Sequence, residues 1–83
     1  MKKVRVFKHK TCVYCPQLIK WLTSKEVKFE IIDRDEHPII FKRMIHKTGY
    51  MTVPVTQIED EYIVGMNLGK MIPTLKKYGL IKE

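Results

Sequence analysis

Acidic residues are scarce in this chain, and so are the residues that make irregular or cross-linked proteins. Its 83 residues include 9 Asp and Glu against 16 Lys and Arg, with 2 Cys, 4 Gly, 4 Pro and 1 Trp. No stretch approaches the ~20 apolar residues that a membrane span requires. Met1-Lys2-Lys3-Val4-Arg5-Val6-Phe7-Lys8 is charged at its start but has no apolar segment behind it, so no export signal is read there. These absences predict a cytoplasmic protein with no membrane partner. In that reducing compartment two cysteines do not read as a permanent structural disulfide. A zinc site would need two further ligands, and His9, His37 and His46 are scattered. No metal is therefore expected.

The excess of base gives a net charge of +7. The cations are spread along the chain rather than gathered in a block of five or six. They read either as a solvated surface or as a basic rim that steers an acidic protein partner. A nucleic-acid binder would show a stacking-aromatic cluster or a helix-turn-helix pattern, and neither is present. A hydrophobic share of 45% suits a folded protein, and 83 residues leave room for one domain, 1–83.

Periodicity organises the chain. Lys3 to Phe7 alternates as a strand does. Cys15, Leu18, Ile19 and Leu22 share one face of a helix that the spacing predicts from about Val13 to Lys25, with Pro16 in its first turn. Val27 to Ile32 reads as a second strand. A second helix follows from about Pro38 to Thr48, with Gly49 as its stop. Val53 to Ile58 and Tyr62 to Val64 form two more strands around a tight turn at Glu59-Asp60. Leu68, Met71, Ile72 and Leu75 then repeat the helical spacing to about Tyr78, and Pro73 predicts a kink or an early end there. The order β-α-β-α-β-β-α describes an α/β protein with a mixed four-stranded sheet and three helices.

Cys12-Val13-Tyr14-Cys15 lies where the first strand hands over to the first helix. Two intervening residues let the sulfurs meet. The first helical turn offers unpaired N–H groups and the positive end of a dipole, which favour a thiolate at Cys12. Lys8 and Lys10 push the same way. Cys12 is then the attacking thiol, and Cys15, facing the core, the resolving one. Pro54 inside a strand makes most sense with a cis Val53–Pro54 bond; an ordinary trans edge-strand proline is the alternative.

With Lys10-Thr11-Cys12-Val13-Tyr14-Cys15-Pro16, Gly49-Tyr50-Met51-Thr52-Val53-Pro54 and Ile63-Val64-Gly65 in this order, the sequence resembles glutaredoxins and the glutaredoxin-like hydrogen donors of ribonucleotide reductase. The resemblance implies a thioredoxin fold and a dithiol–disulfide oxidoreductase with no tightly bound cofactor. It implies catalytic Cys12 and Cys15, and a thiol-binding set of Lys10, Tyr14, Thr52, Val53, cis Pro54, Gly65, Met66 and Asn67. The implied partners are a disulfide-bearing protein, with ribonucleotide reductase as a candidate, and either glutathione or a thioredoxin reductase as electron source. Three positions depart from the glutathione-using pattern. His9 stands where Lys is usual, Met51 where Arg is common, and Met66-Asn67-Leu68 where Cys-Asp-Asp grips glutathione. Val13 replaces a usual Pro and also occurs in the hydrogen-donor branch. Losing both carboxylates removes charge-assisted contacts, although Asn67 can still cap the last helix. A metal or iron–sulfur carrier using the same cysteines is the alternative, and it needs outside ligands or dimerisation.

Overall fold

A computed structural model of the chain describes residues 3–81. The elements are β1 (Val4–Lys8), α1 (Cys15–Ser24), β2 (Glu30–Asp33), α2 (Pro38–Thr48), β3 (Val55–Ile58), β4 (Glu61–Val64) and α3 (Leu68–Lys77). The strands form one sheet in the order β2-β1-β3-β4. β1 pairs parallel with β2 and antiparallel with β3, and β3 pairs antiparallel with β4. This is the mixed sheet with three helices expected of a thioredoxin fold.

Alternation along the central strand divides the apolar residues between the two faces of the sheet. Val4 and Val6 join Leu18 and Leu22 of α1, Ile58, Ile63, and Met71 and Leu75 of α3. Phe7 points the other way and packs with Ile32, Val55, and Phe41 and Met44 of α2. The Phe7 and Phe41 rings meet edge-to-face with centroids 5.8 Å apart. Trp21 is half-buried beside the α1/α3 cluster, as its place one step off the apolar stripe predicts.

Several boundaries differ from the periodicity reading. α1 starts at Cys15 rather than Val13, because Tyr14 takes the capping position and Pro16 fills the first turn. β2 starts at Glu30 rather than Val27. Val27 is buried, but its N–H bonds back to the Leu22 carbonyl at 3.1 Å and closes the end of α1 instead of joining the sheet. β3 starts after Pro54, which has no N–H for the ladder. α3 does not end early at Pro73. It runs on to Lys77, with the exposed proline on its solvent side and Met71, Thr74 and Leu75 buried on the other. That burial outweighs the one backbone bond a helix-interior proline removes.

Turns follow the expected chemistry. Gly49 closes α2 at φ 76°, and its N–H reaches the Ile45 carbonyl at 2.7 Å. The β3–β4 hairpin has no glycine, so Glu59 itself takes the left-handed conformation at φ 54°. Near the C-terminal end of α3, the Tyr78 hydroxyl donates to Glu61 at 2.8 Å and Lys77 to the same oxygen at 3.1 Å. These bonds hold the Glu61 carboxyl below its usual range and push the Tyr78 phenol up.

Leu22 is fully buried between α1 and the sheet. Leu22→Ala is expected to cost about 2–5 kcal/mol, a large share of what so small a protein has. Urea denaturation measures it, and a loss under about 1 kcal/mol would contradict this packing.

Candidate active site

Parallel pairing brings the C-terminal ends of β1 and β2 to one edge of the sheet, with Lys8 beside Asp33. Antiparallel pairing brings the start of β3 to the same edge, with Val55 beside Phe7. Three loops therefore converge there: 9–14, 34–37 and 49–54.

Cys12 and Cys15 are joined as a disulfide, with Cα atoms 5.5 Å apart. The Cys12 N–H donates to the His9 carbonyl at 2.9 Å, which turns the loop back on itself. The Cys15 N–H, the first of α1, points at the Cys12 sulfur at 3.1 Å. This is the unpaired helix-start donor that the motif's position predicts. Cys15 is 2% exposed, whereas Cys12 lines an open cleft of about 380 Å³. Tyr14, Thr52 and Val53 line the same cleft, and the Val53–Pro54 bond is cis. An exposed apolar rim surrounds it, with Val13 76% and Met51 73% exposed.

Other sequence-predicted residues lie elsewhere. Lys10 does not line the cleft and sits 3.8 Å from Asp35. Gly65 meets the site through its backbone, donating to the Pro54 carbonyl at 2.7 Å. Met66 is half-buried against the α1/α3 core. Asn67 caps α3, accepting from the Lys70 N–H at 3.2 Å, and lines a separate cavity with Tyr50 and Lys70.

Charges around Cys12 are largely paired. Lys8 lies 3.8 Å from Asp33, and the His9 ring lies 3.7 Å from Asp35. The other His9 nitrogen is 2.8 Å from the Thr11 hydroxyl. The push that Lys8 and Lys10 exert on the sulfur is thereby reduced, since each cation has a carboxylate closer at hand. Arg34 is the exception. It lines the cleft and has no carboxylate partner among the described residues. It stands in the charged stretch Asp33-Arg34-Asp35-Glu36, which carries no hydrophobic period. Its signal was topological: a residue just after a strand parallel to β1 emerges at the same edge as Cys12. Among the described residues, no group of three or more His, Cys, Asp or Glu is arranged to hold a metal.

The backbone N–H of Asp35 bonds the Asp33 carboxylate at 2.9 Å. This bond, with another from Glu36 and the charges of Lys8 and His9, holds the Asp33 carboxyl below its ordinary range. The stability it contributes is complete above the unfolded-chain value and is lost as pH falls through the lower folded value. A carbon-detected NMR titration should give Asp33 a lower midpoint than an aspartyl model peptide; an equal or higher one would contradict the geometry.

Residues 4–63 match the family model described as glutaredoxin. A glutaredoxin-like protein NrdH of Lactococcus lactis is 32% identical over 57 residues, 69% of this chain and 78% of that protein. Glutaredoxin 3 of Escherichia coli is 32% identical over 65 residues, 78% of each chain. Among solved structures, a buckwheat glutaredoxin–glutathione complex superposes with a TM-score of 0.75 at 25% identity, covering 98% of this chain and 83% of the other.

Proposed function

The chain belongs to the glutaredoxin family and is a thiol–disulfide oxidoreductase, and we propose that it serves as a dithiol electron carrier for protein disulfides. The observation that carries the proposal is the asymmetry of the pair, with Cys12 facing the cleft and Cys15 buried behind it.

In the reduced protein the Cys12 thiolate attacks one sulfur of a substrate disulfide. A Cys12–substrate disulfide forms, and the other substrate sulfur leaves as a thiolate that takes up a proton. The Cys15 thiolate then attacks the Cys12 sulfur. The Cys12–Cys15 disulfide forms and the second substrate thiol departs. Two electrons have passed from the dithiol to the substrate. The helix-start N–H groups stabilise the Cys12 thiolate both before attack and when it is the leaving group. Extended substrate backbone lies along Thr52-Val53, where main-chain hydrogen bonds hold a cysteinyl residue with little regard to its neighbours. Tyr14 and Met51 cover its sides. Gly65 and Asn67 act from the adjoining edge, and Lys10 belongs to the outer charged rim.

The working place is a reducing cytoplasm, where a disulfide formed in turnover is reduced again. Ribonucleotide reductase is a candidate substrate, in keeping with the similarity to the NrdH protein. Glutathione and a thioredoxin reductase are the candidate reductants. The residues at His9, Met51 and Met66-Asn67 offer glutathione fewer ionic contacts than the usual pattern. Arg34 offers one, and it favours substrates with a carboxylate beside the reacting cysteine.

Cys12→Ser is expected to abolish disulfide turnover, and Cys15→Ser to accumulate a mixed disulfide visible by intact-protein mass spectrometry. Full turnover by the Cys12→Ser protein would overturn the mechanism. Assays with glutathione plus glutathione reductase, and with thioredoxin reductase plus NADPH, identify the electron source.

Arg34→Gln should raise KM about tenfold for a disulfide peptide bearing a flanking carboxylate, and leave KM for its amide counterpart unchanged. Equal effects on both peptides would remove Arg34 from substrate recognition.

A further inference from the structure

Two buried side-chain polar atoms among the described residues lack a hydrogen-bond partner, Arg5 Nε and Thr56 Oγ1. Idle buried donors are uncommon in folded proteins, and a guanidinium is an expensive place to leave one. Arg5 sits on the central strand, on the face covered by α2. It lines a cleft of about 260 Å³ with Arg43 and Lys47 of α2, Gln57 of β3 and Tyr62 of β4, over a floor that includes Phe7. No residue of the Cys12 cleft lines it.

Three cations converge here, and among the described residues no carboxylate lines the cleft. None of the three has an ion-pair partner among the described residues. Arg43 and Lys47 are four residues apart on α2, a like-charge spacing that weakens a helix when nothing compensates it. Glu30 is the cross-strand neighbour of Arg5, but it is exposed and stands outside the cleft. The concavity keeps the three positive groups together on an apolar floor, where an anion's charge is screened less than on an open surface. Gln57 and Tyr62 add neutral hydrogen-bonding groups.

We infer that this cleft is a binding site for a small phosphate group. The Arg5 guanidinium meets the phosphate from the strand side of the cleft. Arg43 and Lys47 close on the remaining charge from the α2 side. The volume suits a free phosphate ion or the phosphate of a small ester. Occupancy neutralises the convergent cations and removes the repulsion along α2.

The test is an amide NMR titration of the full oxidised chain with sodium phosphate, with sodium chloride at matched ionic strength as reference. Glycerol phosphate, titrated in parallel, separates an esterified phosphate from the free ion by which of the two binds more tightly. Saturable shifts at β1, α2 and β4 amides are expected with phosphate or its ester and not with chloride. Arg43→Gln combined with Lys47→Gln, both on the exposed side of α2, should weaken binding about tenfold or more. Lys20→Gln combined with Lys28→Gln removes equal charge elsewhere and should leave it unchanged. Arg5→Met should also weaken it, with the fold checked in the same spectra. Disulfide turnover should be unaffected by the α2 pair. Shifts that rise linearly with either phosphate, that chloride reproduces, or that both double variants weaken equally would overturn the site.

Discussion

Pairing of β1 on both edges is the constraint from which the rest of the molecule follows. β2 lies along one side and β3 along the other, in registers that match four residues each. A strand so enclosed must send its side chains into apolar surroundings above and below, and Val4, Val6 and Phe7 do so. Those side chains call for helices on both faces, and α1, α2 and α3 supply them. The same pairing gathers the loop after β1, the loop after β2 and the segment before β3 at one edge. A reactive centre assembled from three distant parts of the chain thus costs no special scaffolding beyond the sheet itself.

Electrostatics at that edge are more restrained than the net charge of +7 suggests. Lys8, His9 and Lys10 are each within 4.0 Å of an aspartate, Asp33 at the end of β2 or Asp35 in the loop after it. Exposed pairs of this kind contribute little stability. Their larger effect is to leave the local field at Cys12 to the helix start, whose Cys15 N–H points directly at the sulfur. Among the described residues Arg34 then stands as the unneutralised cation lining the cleft.

Much of this was legible in the residues alone. The apolar spacing of Cys15, Leu18 and Leu22 specifies a helix face, and the Pro38–Thr48 helix has the bounds read from its proline start and glycine stop. Burial of Cys15 follows from its place on the apolar face of α1, and the cis bond at Pro54 is the one of two open readings that the family resemblance implies. The errors have physical causes. Val27 and Phe29 have strand-like composition, but their burial serves the end of α1 and its core cluster rather than the ladder. Pro73 breaks one bond of a helix that its buried face holds in place. Arg34 lies in a charged loop with no periodic signal, and it is the strand pairing that shows which side chains meet there. Met66, which the resemblance puts in the thiol-binding set, packs its side chain against the α1/α3 core, a placement its apolar character permits but does not specify.

The depth of Cys15 bears on how long any covalent complex survives. A partner bound through Cys12 sits on the cleft side, while the second sulfur approaches from within α1. In the proposed mechanism the Cys15 thiol would not have to pass the partner to reach its target. Its local concentration is set by one turn of helix rather than by the thiols dissolved around the protein. Under the proposed mechanism release would then not depend on the bulk of the cargo: a large folded protein and a small peptide would be let go by the same internal motion.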